Sequence, residues 1–150
     1  MTAENTIHID APPPAVWRET VDIDRWPEWA PTVTHARRLD DGPFRLGSRA
    51  AVKQPAQPQA TWTVTDLVPG ERFSWDTAWL GLRMRATHAL VPEGDGTRNT
   101  LHLEAAGALA TVFGLVLGPL IRRALADENR GLKSWCERRP SQPPQSAPPA

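Results

Sequence analysis

Tyrosine is absent from this 150-residue chain, cysteine occurs once, and acidic and basic side chains balance at 17 each. Each gap excludes something. Without tyrosine no phenol can donate a proton or orient a ligand, so another side chain must take any such task. The single Cys136 cannot close an internal disulfide, and no Cys/His grouping has zinc-site spacing. A formal net charge of zero argues against a nucleic-acid binder that works by neutralising phosphates. Long apolar runs are missing too. Residues 105–121 carry no charge, but three glycines and Pro119 dilute them, and a span needs about 20 apolar residues, so no stable membrane insertion is expected. The chain has no leader pattern, which makes a reducing cytoplasm the expected compartment. It also lacks a nucleophile elbow, an HExxH pair, a glycine-rich phosphate loop after a strand, and paired carboxylates on an apolar helix face. No cofactor or metal is expected.

Tryptophan and proline are plentiful, with seven and 16 residues. One domain is expected over residues 1–138. Residues 139–150, which contain the run PSQPPQSAPPA from Pro140, have no apolar periodicity and are expected to form a disordered Pro-rich tail. Alternating residues 6–10 predict an opening strand, and Asp10 is placed to cap a short helix over 13–20 whose prolines fall at its start. A second turn or short helix is expected at 22–26. Trp26-Pro27-Glu28-Trp29-Ala30-Pro31 is a stiff segment, either a packed corner or the aromatic rim of a pocket. Strands are expected over 32–39, 47–53, 61–67, 72–79, 82–91 and 98–105. Tight turns join them, which requires a mainly antiparallel sheet. Apolar residues then recur at intervals of three and four over 109–137, a helix that Pro119 should kink or split.

In order and spacing these elements resemble the superfamily of START lipid-transfer domains, birch-pollen-type allergens and aromatic polyketide cyclases. The match is best to its bacterial polyketide cyclase/dehydrase branch. The resemblance covers about residues 3–138. It rests on the opening strand, Ala11-Pro12-Pro13-Pro14-Ala15-Val16-Trp17, Trp26-Pro27-Glu28-Trp29, Asp41-Gly42-Pro43, and Trp62-Thr63-Val64. Pro69-Gly70-Glu71-Arg72-Phe73-Ser74-Trp75, His88, Gly94-Asp95-Gly96-Thr97-Arg98 and Glu128-Asn129-Arg130-Gly131-Leu132-Lys133 complete it. The resemblance implies an α+β helix-grip fold: a curved antiparallel sheet of about seven strands wrapped around a long C-terminal helix, with two short helices after the first strand and a cavity between sheet and helix. It implies a ligand carrier or a ring-closing enzyme. The aromatic cyclases are similar in placing arginine and tyrosine in that cavity, a pattern from which this tyrosine-free chain departs.

Strand alternation assigns the inward faces without reference to the family. Phe73, Trp75, Thr77 and Trp79 share one face, as do Leu82, Met84, Ala86, His88 and Leu90, and then Leu101, Leu103 and Ala105. Trp62 and Val64 are assigned inward with less force, because threonines alternate with them. His88 is the polar member of an apolar set, either a core histidine satisfied by the backbone or a group that orients a ligand or moves a proton. On the long helix, Asn129 is the better candidate for a polar cavity wall, and Glu128 is assigned to a solvated flank.

The leading reading is binding of a small hydrophobic molecule, lipid-like or polyketide-like. Its candidate ligand-binding residues are Trp62, Phe73, Trp75, Trp79, Met84, Phe113, Val116 and Asn129. The alternative is a polyketide cyclase/aromatase-like enzyme with His88 as acid or base. A third, a peripheral module that presents residues 115–119, requires those side chains to be exposed. The protein is expected to work as a monomer or homodimer.

Overall fold

A computed structural model describes residues 1–55 and 57–138; the expected Pro-rich tail lies outside them. Strand β1 (Thr2–Ile9) leads into helix α1 (Pro13–Val21), a 3-10 turn (Ile23–Arg25) and helix α2 (Trp26–Trp29). Strands β2 (His35–Arg38), β3 (Arg49–Lys53), β4 (Ala60–Val68), β5 (Arg72–Trp79), β6 (Leu82–Glu93) and β7 (Gly96–Gly107) follow, and helix α3 (Ala110–Arg138) closes the chain. The strands form one seven-stranded sheet in the order β1-β7-β6-β5-β4-β3-β2, with every pairing antiparallel. This is the helix-grip architecture: β1 crosses to the far edge beside β7, and α3 lies in the concave face.

The strands form where alternation predicts them, with β1, β6 and β7 running longer than the pattern suggests. The inward sets pack. Phe73, Trp75, His88, Leu90, Leu101 and Ala105 are all buried and form the floor beneath α3. One local expectation needs correction and a second is narrowed. The N-cap of α1 is Pro12 and no side chain caps it, while Asp10 instead accepts a hydrogen bond from His8 Nε2 at 2.9 Å. Helix α3 is one continuous element with Pro119 inside it, and it is not split. Pro119 has no N–H, so it orphans the carbonyl of Leu115. Leu115 is 79% exposed, on the face where solvent can serve that oxygen.

The two halves of α3 are held differently. Asn129, fully buried, donates through Nδ2 to the Asn5 carbonyl (3.0 Å) and to Asn5 Oδ1 (2.8 Å), and its Oδ1 accepts from Asn99 Nδ2 at 2.6 Å. Lys133 donates to the His8 carbonyl at 2.9 Å, and Trp135 Nε1 to Glu19 at 2.8 Å. At Gly131 the helix comes so close to α2 that a Cβ would sit 2.1 Å from the Trp29 carbonyl oxygen. Among the described residues the first half has no such ties. Its inner side packs through Phe113 and Ile121, and Met1 covers Gly114. Its outer side leaves Val112, Leu115, Val116 and Leu120 exposed, with Leu109 just before it and Trp79 and Leu80 on the β5–β6 turn. No helix among the described residues is long and apolar enough to cross a membrane.

Replacing Asn129 by Ala orphans the Asn99 amide and two acceptors on Asn5. Thermal or urea unfolding should show a loss of about 1–3 kcal/mol. Gly131→Ala should cost a similar amount, roughly 1–3 kcal/mol, because backbone rather than a flexible side-chain end blocks the new methyl. Amide hydrogen exchange should be faster over residues 111–120 than over 126–136, since only the latter are tied by polar side chains.

Candidate functional site

Between the sheet and α3 lies a cavity of about 100 Å³. Trp26 of α2 and Trp62, Trp75, Met84 and Leu103 of the sheet line one side, and Phe113, Ile121, Leu125 and Glu128 of α3 line the other. Gln54 and Gln57 stand at its border, and His88 forms part of the wall. Among the described residues no lysine or arginine lines it.

The aromatic wall follows from sequence spacing. Trp62 and Trp75 project to the same face of neighbouring strands, with ring centroids 5.5 Å apart. Trp26 meets Trp75 at 5.2 Å and 63°, and its Nε1 donates to the Thr20 carbonyl at 3.1 Å. Trp26-Pro27-Glu28-Trp29 therefore divides its work. Trp26 reaches the cavity, and Trp29 packs behind it at 5.8 Å.

His88 sits in aromatic surroundings. It stacks on Phe73 at 4.6 Å and 11°, with Trp26 at 5.3 Å and Trp75 at 6.1 Å. No hydrogen bond reaches its ring nitrogens among the described residues, so the satisfied-core reading of His88 finds no support in its contacts. Burial disfavours its charged form and lowers its pKa to about 3. At neutral pH it is a neutral imidazole that can offer one N–H and one lone pair. It is poorly matched to proton transfer near pH 7.

Glu128 corrects the sequence reading. Expected on a solvated flank, it is 8% exposed and lines the cavity. It forms no hydrogen bond or ion pair among the described residues. Burial raises its pKa to about 7, so it changes charge across the neutral range. The inner stripe of α3 runs through Ile121, Ala124, Leu125, Glu128 and Leu132, all at helical spacing, and that spacing alone was enough to place Glu128 inward.

Of the other expected site residues, Trp62, Trp75, Met84 and Phe113 line the cavity with His88. Phe73 lies behind it, fully buried against His88. Trp79, the last residue of β5, is 54% exposed and does not line the cavity. Val116 is 69% exposed, on the side of α3 turned away from Ile121 and Glu128. Asn129 is spent on the sheet and does not face the cavity. Among the described residues no group of three His, Cys, Asp or Glu side chains could hold a metal ion.

Residues 1–137 match the protein family described as polyketide cyclase/dehydrase and lipid transport. The chain belongs to that family. Among solved structures it is similar to the ZhuI aromatase/cyclase from Streptomyces sp. R1128, with a TM-score of 0.75 at 17% identity, over 93% of this chain and 94% of that one. It is also similar to a START superfamily protein from Mycobacterium smegmatis (TM-score 0.72, 16% identity, 91% and 97% covered). A third similar structure is the hypothetical protein jhp0584 from Helicobacter pylori (TM-score 0.78, 11% identity, 91% and 88% covered). At these identities the likeness concerns the fold. No curated protein matches the chain significantly.

The two buried titratable groups shape stability with opposite signs. His88 binds its proton less readily folded than unfolded, so its contribution is lost as pH falls from 6.5 towards 3. Glu128 binds its proton more readily folded, so stability falls as pH rises from 4.5 to about 7. Between 4.5 and 6.5 the two slopes oppose each other, giving a plateau with a loss on either side. Glu128→Gln should remove the alkaline loss and stabilise the protein at pH 8 by about 3 kcal/mol. Urea unfolding of both proteins from pH 4 to 9 measures it.

Proposed function

We propose that this protein binds a small hydrophobic molecule in the cavity between sheet and α3. Trp26, Trp62, Trp75, Met84 and Phe113 would hold the apolar body, and His88 and Glu128 would fix its orientation. One observation carries this reading. Two buried polar side chains face an aromatic space without protein partners, an arrangement that costs stability unless a ligand completes it. The space is small beside the roughly 300–1,000 Å³ of drug-sized sites. A lipid-like or polyketide-like ligand therefore requires the first half of α3 to lift, and among the described residues that half has no polar ties to the sheet.

A polyketide cyclase/aromatase-like reaction is the second reading, favoured by Glu128. A carboxyl with a pKa of about 7 suits general acid or base work, so that role passes from His88 to Glu128. The family description and the likeness to ZhuI support either reading without choosing between them. The single thiol fits a protein that works in a reducing compartment.

Native mass spectrometry on protein taken from its own host should show a stoichiometric apolar adduct, identified after denaturation. A bare mass at every charge state would count against tight carriage. If the recovered molecule is converted on incubation, Glu128→Gln should slow that conversion about 10²–10⁴-fold, as expected for a lost acid or base. Conversion unaffected by the substitution would remove Glu128 from the chemistry.

A further inference from the structure

The cavity has one carboxyl and three indoles, and that combination is specific about charge. Among the described residues Glu128, buried and unpartnered, is the only acidic side chain on its lining, and no lysine or arginine there neutralises it. The other titratable groups are histidines. His88 stays neutral among the rings, and His102 is held between Glu4 (3.1 Å) and Glu104 (3.2 Å). Lys53 is tied to the backbone carbonyls of Gln54 and Gln57, and the amino terminus of Met1 donates to the Ala105 carbonyl at 3.1 Å. On α3 itself the flanking charges engage one another outside: Asp127 with Arg123 and Arg130, and Glu137 with Lys133. Arg122 is exposed. From β1, Glu4 turns to His102, and His8 turns to Asp10 and Glu93. Among the described residues no cationic side chain forms an ion pair with Glu128.

A ligand can. Indole rings attract cations, and do so more strongly when water is excluded. Trp26, Trp62 and Trp75 border the space at mutual angles of 31° and 63°. An anionic ligand such as a fatty acid would meet these same rings and a second carboxylate with no cation to receive it. The volume sets the size. About 150 Å³ holds a benzene molecule, so about 100 Å³ admits an alkyl group of a few carbons with its nitrogen.

We propose that the cavity selects apolar amines in their cationic form, with Glu128 as counter-ion and the three indoles as cage. This deepens the reading that the cavity holds a ligand, and depends on it.

The test compares n-butylammonium, 1-butanol and butyrate on the full-length chain, by isothermal titration calorimetry. A ligand of five heavy atoms binds no tighter than roughly micromolar, so millimolar titrations are needed. The amine should bind about tenfold more tightly than the alcohol, and butyrate should bind least. Because Glu128 must ionise to pair with the amine, binding at pH 6 should release about one proton, read from titrations in two buffers of different ionisation enthalpy, and little at pH 8.5. In Glu128→Gln the amine's advantage and the proton release should both vanish, while butanol binding persists. Butanol or butyrate binding as well as the amine, or amine binding without proton release at pH 6 in the unaltered protein, would overturn the amine assignment and leave the container reading standing. Failure of all three probes to bind would overturn both.

Discussion

The asparagine clasp is the interaction on which the rest of the structure depends. Asn129 ties the last helix to the first strand through Asn5 and to the last strand through Asn99, in the interior where an amide without partners is costly. These bonds fix both the rotation of α3 and its height over the sheet. Glu128 precedes Asn129 by one residue and points about 100° away around the helix. Holding one residue against β1 and β7 therefore aims the other into the cavity. The network is not fully satisfied, since Asn99 Oδ1 is buried without a partner. The three amides lock a register at the expense of one acceptor.

Beyond the clasp, the molecule divides into a rigid end and a loosely held one. Gly131 against Trp29, Lys133 on the His8 carbonyl and Trp135 on Glu19 bind the second half of α3 to α1, α2 and β1. The first half rests on side-chain packing alone, and its outer stripe faces solvent. The cavity lies beneath the junction of the two. Its polar groups sit on fixed elements: His88 on a central strand and Glu128 on the clamped half. Phe113, by contrast, belongs to the loosely packed half. On the proposed reading, entry and recognition fall to different parts of one helix.

Strand faces were legible in the sequence because their period of two is unambiguous, and Phe73, Trp75, His88, Leu101 and Ala105 all fall where alternation puts them. Extent was not legible. Alternation says which way Trp79 points but not where the covering helix stops. On α3, apolar residues run nearly all round the first two turns, so Val116 and Phe113 look equivalent in sequence and differ only in what lies across from them. Charge was misleading at Glu128, because solvation is the ordinary fate of a helical glutamate and only its position on the stripe through Ile121 and Leu132 argues otherwise. Asn129 was assigned to the cavity wall and is buried against the sheet instead: amides seek other amides, and the partners Asn5 and Asn99 are distant in sequence.

The indole cluster also has an optical consequence. With no tyrosine in the chain, ultraviolet emission comes almost wholly from tryptophan, and three of the seven indoles border the cavity. Trp62 and Trp75, 5.5 Å apart, are close enough for their excited states to couple. Ionisation of the nearby Glu128 places a charge beside them and removes it again across neutral pH. The protein therefore carries its own reporter, whose colour and circular dichroism change with what occupies the space between sheet and helix.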